Sequence, residues 1–369
     1  MTNGRRGGHL SVVMTTESIT ELIRTTVAAS VSSASVELYF QCFVVVIGVV
    51  GAATNALILY AMVASKQHKR QLLIFHQNII DFISSLLLVI TYALKLCNFH
   101  LTGLGGYWFC MLVLSENLIW CAILSSKANL VCITIERYLK AVYPVWSKKK
   151  LLGRMIYSAM AFAWISGIIH AVALGFATNG VVDGVCYGYV LYESRRSQMA
   201  YGILYFLLYY IFILVIFIVC YWRIIVAIRR QARVMASHGG GPTGSNTAQR
   251  QSLQFQSNVI KTMILVSAFY AISDLPMNIY ALFMNINANL TLLESGYYAS
   301  MFISFLYFCT NPFIYAIKFD PVKRVLQRLI PCVKTPEQPT GGSMEITASR
   351  VTAARTQALN RQGVHTTQT

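Results

Sequence analysis

Seven stretches of about 20 apolar residues run through this chain, each long enough to cross the hydrocarbon core of a bilayer. They cover 38–63, 73–96, 110–135, 155–176, 199–228, 259–283 and 297–317. A backbone in lipid has no water to bond, so each segment must satisfy its own N–H and C=O groups, as a helix does. The alternation of lipid-facing barrel strands is absent. The expected fold class is therefore an all-α membrane protein: a seven-transmembrane helix bundle with a short amphipathic helix on the membrane surface after the seventh span. Composition agrees, with 56% hydrophobic and 12% charged residues, about half the charged share of a soluble domain.

The net charge is +17, and its placement decides what it means. Lys66, Lys69 and Arg70 lie between spans one and two. Arg137, Lys140, Lys148, Lys149, Lys150 and Arg154 lie between three and four. Arg229, Arg230, Arg233 and Arg250 lie between five and six, and Lys318, Lys323, Arg324 and Arg328 follow span seven. The opposite loops hold Arg195 and Arg196 against Asp183, Glu193 and Glu294. Basic loops stay in the cytoplasm, so the N-terminus is placed outside and the C-terminus inside. The surplus reports topology and contact with anionic lipid heads, and no nucleic-acid partner is expected.

Residues 1–37 contain no apolar core of a signal peptide, so an extracellular tail is expected there, with span one as the targeting signal. The seven-span domain is assigned to 38–330. It includes a flexible cytoplasmic loop at about 234–256, marked by the run His238-Gly239-Gly240-Gly241-Pro242. Residues 331–369, rich in Thr, Gln and Ser, are expected to form a disordered cytoplasmic tail. The absence of an internal repeat weakens a transporter reading. The histidines are scattered without metal spacing, and no His–Asp or Ser–Lys constellation stands inside the spans, so neither a metal nor an enzyme is expected.

At the inner end of span three the chain reads Ile135-Glu136-Arg137-Tyr138, with Pro144 seven residues after the arginine. Span seven ends in Asn311-Pro312-Phe313-Ile314-Tyr315. With Asn55, Asp81, Trp164 and Pro276 in spans one, two, four and six, this placement resembles the rhodopsin-like G-protein-coupled receptors across roughly 38–332. The resemblance implies an extracellular ligand, a heterotrimeric G protein as partner and an outward movement of helix six. Arg137, beside Glu136, carries the charge that contacts the G protein in relatives. Tyr138, Pro144, Tyr221, Lys261 and Tyr315 are expected to line the opened cleft, and Asn311-Pro312 to belong to the same machinery. An arginine at this depth can also simply snorkel to the interface. Some relatives place a carboxylate where this chain has Gln256, so one restraint on basal signalling is expected to be missing. Pro276 and Pro312 each remove a backbone donor and permit a kink, and Asp274 with Pro276 forms the expected helix-six hinge.

Asn55, Asp81, Ser126 and Asn311 match positions that hold a sodium ion in relatives, which is the one ion expected. Lys127 and Asp274 depart from the family pattern. A charge mid-span is rare and usually functional or paired. A buried Lys127–Asp274 ion pair is expected, with Lys127–Asp81 as the rival. Cys110 and Cys186 match the family's outer disulfide, for which Cys97 competes. Asn289-Leu290-Thr291 is a glycosylation sequon in the outer loop after span six, and Cys332 follows an amphipathic segment at 321–330 as a palmitoylation candidate.

The positions that carry an amine-binding aspartate and a retinal-binding lysine in relatives are Ile119 (Asn117 when counted from Cys110) and Phe305 here. The interval from Cys110 to Arg137 is about two residues longer than usual in the family, which keeps Glu116 in play for a cation. Spacing along span three turns 116, 120, 123 and 127 inward. The expected ligand wall is Glu116, Asn117, Trp120, Ile123, Tyr205, Tyr209, Asn278, Tyr280 and Tyr298. Its aromatic character favours a neuropeptide, with a small amine or other small aromatic ligand as the alternative and an ion transporter or channel as the different class.

Overall fold

The computed structural model describes residues 16–97, 99–150, 153–187, 194–237, 244–287 and 294–329. In chain order its elements are α1 (Thr16–Ala64), α2 (Leu72–Lys95), α3 (Gly103–Phe109), a π turn (Cys110–Leu114), α4 (Asn117–Val142), α5 (Pro144–Lys150), α6 (Gly153–Thr178), β1 (Gly180–Val182), β2 (Val185–Tyr187), α7 (Arg195–Phe206), a second π turn (Leu207–Ile211), α8 (Phe212–Ser237), α9 (Gly244–Ile286), α10 (Glu294–Lys318) and α11 (Asp320–Leu329). Seven segments are long and apolar enough to cross a membrane: Ser35–Ala64, Leu72–Lys95, Gly103–Val142, Gly153–Ala173, Arg195–Val234, Gln256–Ile286 and Gly296–Lys318. They are numbered one to seven below. Spans three and five are each built from two α-helices joined at a π turn. The chain divides into two compact units, Met1–Val325, which holds the seven spans, and Leu326–Thr369, of which the end of α11 is described.

Helix extends into two segments beside the expected spans. Helix α1 begins at Thr16, inside the segment assigned to the extracellular tail. Once nucleated, a helix extends by one hydrogen bond for each residue fixed. Between spans five and six, α8 continues to Ser237 and α9 starts at Gly244, so helix occupies much of the segment expected to be a flexible loop. Asn289, Cys332 and the tail at 331–369 lie outside the described residues.

The bundle is polar within and apolar without, as lipid requires. Val46, Phe162, Ile218, Trp222 and Ile272 face outward, while Asn55, Gln77, Asn78, Asp81, Ser126 and Asn311 are buried. Lipid tails are as apolar as leucine, so close packing and interhelical hydrogen bonds hold the helices together. Gly167 on span four shows the packing: a Cβ there would meet the Cys121 carbonyl oxygen and the Ser125 Oγ of span three, both at 2.3 Å.

Above span three, β1 and β2 pair antiparallel with Val182 opposite Val185. The turn between them is Asp183-Gly184, both at positive φ (51° and 76°). Asp-Gly suits this geometry because glycine meets no Cβ penalty there. The hairpin presents Cys186, which is bonded to Cys110 with Cα atoms 5.4 Å apart. Cys97 is a free, exposed thiol, so it does not take that partner.

Span three is interrupted just below the disulfide. The Ser115 amide bonds back to the Cys110 carbonyl at 3.0 Å, and Glu116 adopts left-handed backbone with φ 63° before α4 resumes at Asn117. A π turn takes up an extra residue. The interval between Cys110 and Arg137 thus contains a π turn and a left-handed residue at its outer end, followed by unbroken α-helix.

Candidate functional site

The break in span three sets the outermost cluster. Glu116 is buried, and its carboxylate accepts from the Tyr92 hydroxyl at 2.8 Å and from Lys95. Both donors come from span two, where Lys95 ends α2. Beside them opens a cavity of about 580 Å³ whose wall includes Glu37, Gln41, Lys95, Ser115, Glu116 and Tyr297, with Cys186 of the disulfide over it. Its floor is thus formed from spans one, two, three and seven.

Most of the expected ligand wall lies elsewhere. Glu116 alone of those residues lines this cavity. Asn117 instead donates to the Ala171 carbonyl of span four at 3.0 Å. Ile123 is buried in the helix packing, and Trp120 is half-buried. Tyr205 and Tyr209 stack on one another at 5.2 Å, each with His170 at 5.5 Å. Tyr280 packs on Tyr297 at 5.5 Å and Tyr298 on Phe40 at 4.7 Å. These rings join helices, which is the ordinary use of aromatic side chains.

In the middle layer, the Lys127 ammonium stands 2.7 Å from Asp274 Oδ2, with the lysine 2% and the aspartate 6% exposed. The same carboxylate oxygen accepts from Asn278 at 2.5 Å and from the Tyr270 hydroxyl at 3.3 Å, and Lys127 also lies 5.6 Å from the Tyr270 ring centre. Asn278 is thus bonded to the pair through its amide nitrogen. A charge transferred out of water is costly unless paired and hydrogen-bonded, and this site supplies both. The contact joins span three to span six, two residues before Pro276, which lies inside α9.

One residue earlier on span three, Ser126 faces Asp81 instead. Asp81 is fully buried, and it accepts from Ser126 at 2.9 Å, Gln77 at 3.0 Å and Asn311 at 2.8 Å. The rival Lys127–Asp81 contact is not formed. Asn55 does not bond the carboxylate; it donates to the Gly51 and Phe308 carbonyls, both at 2.9 Å. Gln77 was not anticipated, although it sits one helical turn before Asp81. Its own oxygen accepts from Asn129 at 2.8 Å, Asn129 pairs with His76 Nδ1 at 2.9 Å, and Trp164 donates to His76 Nε2 at 3.0 Å. Spans two, three and four are thereby stitched to the buried acid. As a place for a sodium ion the residues fit: the carboxylate is buried without a charged partner, and Asn55 Oδ1 and Asn311 Oδ1 are buried acceptors with no donor.

At the inner end Arg137 is 7% exposed and lies 3.2 Å from Glu136, with a further hydrogen bond to Gln71 of the segment entering span two. Lys140 holds the other Glu136 oxygen at 2.5 Å. Tyr221 of span five is buried, its hydroxyl 3.0 Å from Thr134 of span three and 2.8 Å from Ser267 of span six. Tyr315 is buried with no partner for its hydroxyl, and Pro312 lies inside α10. Tyr138 packs on Tyr143 at 6.0 Å, Pro144 begins α5, and Lys261 and Gln256 are exposed on span six. Among the described residues no hydrogen bond or ion pair joins Gln256 to Arg137. The cytoplasmic face is closed by a tyrosine bridge from three through five to six, and the arginine is stored beneath span two.

The sequence matches the family described as 7 transmembrane receptor (rhodopsin family) over residues 54–315. It is similar to Melanopsin-B of Gadus morhua, 24% identical over 308 residues that cover 80% of this chain and 48% of the relative. Melanopsin of Homo sapiens is 26% identical over 308 residues, covering 79% of this chain and 61% of the relative. Octopamine receptor 2 of Lymnaea stagnalis is 26% identical over 227 residues, covering 53% of this chain and 36% of the relative. The chain spans about half the length of the curated relatives it matches.

Proposed function

Because the chain belongs to the rhodopsin family of seven-transmembrane receptors, a multi-pass plasma membrane protein and not an enzyme, we propose that it takes an extracellular ligand in the cavity under the disulfide and activates a heterotrimeric G protein when span six leaves span three. One observation carries this reading. Span six is tied to span three by separable polar contacts, Lys127–Asp274 in the middle and Thr134–Tyr221–Ser267 below, while Arg137 is ion-paired with Glu136 and hydrogen-bonded to Gln71, with no such contact to span six among the described residues. Opening span six therefore leaves the guanidinium in place and uncovers it. A ligand can shift this equilibrium only by binding one state better than the other.

The ligand reading rests on the cavity. About 580 Å³ is of a size that takes a small organic molecule. A neuropeptide, the ligand favoured from sequence, would insert its terminal residues alone. A retinal ligand of the opsin kind is disfavoured, because the span-seven lysine position is Phe305, buried 6.1 Å from the Tyr92 ring. A sodium ion at Asp81, held with Ser126 and the free Asn311 and Asn55 oxygens, belongs to the closed state. Asn289 and Cys332 remain proposed sites for a glycan and a palmitoyl chain.

The test is nucleotide exchange on a panel of G proteins by the full chain in lipid nanodiscs. Exchange above the empty-disc rate is expected without ligand, since Gln256 leaves Arg137 unrestrained by span six. Arg137→Ala should return it to that rate. Ion flux in the same discs without any G-protein response would favour the channel reading.

A further inference from the structure

The outer cavity carries charge that neither Arg137 nor the Lys127–Asp274 pair uses. Glu37, Lys95 and Glu116 line it and sum to one negative charge. Glu116 is the enclosed one, at 8% exposure, in a left-handed backbone conformation with φ 63°. That conformation is strained for a residue with a Cβ, and it is retained where the surroundings impose it. Lys95 reaches the same carboxylate from the last turn of α2, with its side chain still 26% exposed. Its ammonium also lies 4.9 Å from the centre of the Tyr92 ring.

A carboxylate this enclosed requires a cation, and Lys95 supplies one from a flexible four-carbon stem that water still reaches. A carboxylate, an aromatic face and a lid over a cavity of small-molecule size form a recognisable receptor for an organic ammonium. The lysine already sits where such a group would sit.

We infer that the cavity binds the primary ammonium of a ligand, with Glu116 as counter-ion and Glu37 at the mouth, and that Lys95 is an internal competitor which the ligand displaces. This rests on the cavity being the ligand site. The arriving ammonium takes over the charge that Lys95 supplied, and Lys95, partly solvated from the start, swings into water. The ammonium can come from a small amine or from a peptide N-terminus.

The test uses the full chain in lipid nanodiscs and the shift in melting temperature with four probes. They are phenethylamine, its neutral counterpart 3-phenylpropanol, and the dipeptide amide Phe-Gly with its N-terminus free or acetylated. At least one ammonium probe should raise the Tm, and both neutral probes should leave it unchanged; which ammonium works identifies the source. Lys95→Met should tighten the effective probe about tenfold, and Glu116→Gln should abolish its shift. Glu116→Gln strands Lys95, so the double variant K95M/E116Q, uncharged at this point, serves as the folding control. It should melt near the parent and ignore the probe. Equal shifts from a neutral probe, no shift from either ammonium, or weaker binding after Lys95→Met would overturn the inference. Nucleotide exchange read on the same discs separates the two readings. Intact exchange without an ammonium shift removes this site and keeps the receptor, whereas an ammonium shift without exchange does the reverse.

Discussion

Ser126 and Lys127 are neighbours on span three, and each serves a buried carboxylate, yet the two acids are kept in different ways. Asp274 has a cation at 2.7 Å, and its remaining bonds, to Asn278 and Tyr270, come from its own helix. Asp81 has no cation and is solvated by neutral dipoles from three positions, Gln77, Ser126 and Asn311. The ion pair joins spans three and six, with Tyr205 of span five also bonded to the lysine. The dipole cage draws on spans two, three and seven at once and leaves a negative charge that an added ion can meet. A switch and a brace are thus built one residue apart.

The largest expected effect comes from breaking the pair on one side. Lys127→Met leaves Asp274 buried and unpaired, a loss of about 3–5 kcal/mol. Asp274→Asn should cost a comparable amount by stranding the lysine. The double variant should recover most of the loss while raising exchange without ligand, because span six has lost a tie. Melting of the three variants in nanodiscs checks this; independent, additive losses would mean that the residues do not act as a pair.

A smaller effect sharpens the contrast. Gln77→Leu takes a donor from a charge that has no cation to fall back on, and about 2 kcal/mol should be lost. Tyr270→Phe takes a 3.3 Å donor from Asp274, whose cation remains, and less than about 1 kcal/mol should be lost. Denaturant or thermal melts rank them. The reverse order would show that the cage at Asp81 is not what holds that charge.

The third effect is ionic and falls between those two. Replacing choline chloride by sodium chloride at about ten times the dissociation constant should stabilise the protein by about 1.4 kcal/mol. Asp81→Asn should erase the response, and the double variant at Lys127 and Asp274 should keep it. A sodium response that survives Asp81→Asn would place the ion elsewhere.

Much of the fold could be read directly. The spans, their orientation and the motif at Arg137 are runs or short words in the chain, and lipid permits few other structures for them. The odd interval between Cys110 and Arg137 was also legible as a count. Its consequence was not: whether surplus residues enter a loop, a bulge or a shifted helix depends on what packs around them. Here the outer end of span three carries a π turn and a left-handed Glu116, which lines a cavity with residues of spans one, two and seven. Lys95 and Gln77 escaped notice because a lysine at a helix end and a glutamine inside one are common, and nothing local marks their partners. The ring contacts of the aromatic wall were not legible either, since tyrosines at helical spacing do not announce which helix they pack on.

The sequence by itself determined that seven helices cross the membrane, which side each loop faces, and that two charges of opposite sign lie deep within. Those facts follow from transfer energies that add residue by residue along the chain. The partner of each charge was decided only by the tertiary structure. Lys127 and Asp274 are 147 residues apart, and their meeting depends on the depth and rotation of two helices. Close contacts such as Gly167 against Cys121 and interhelical hydrogen bonds set both, because lipid provides no hydrophobic force to do so.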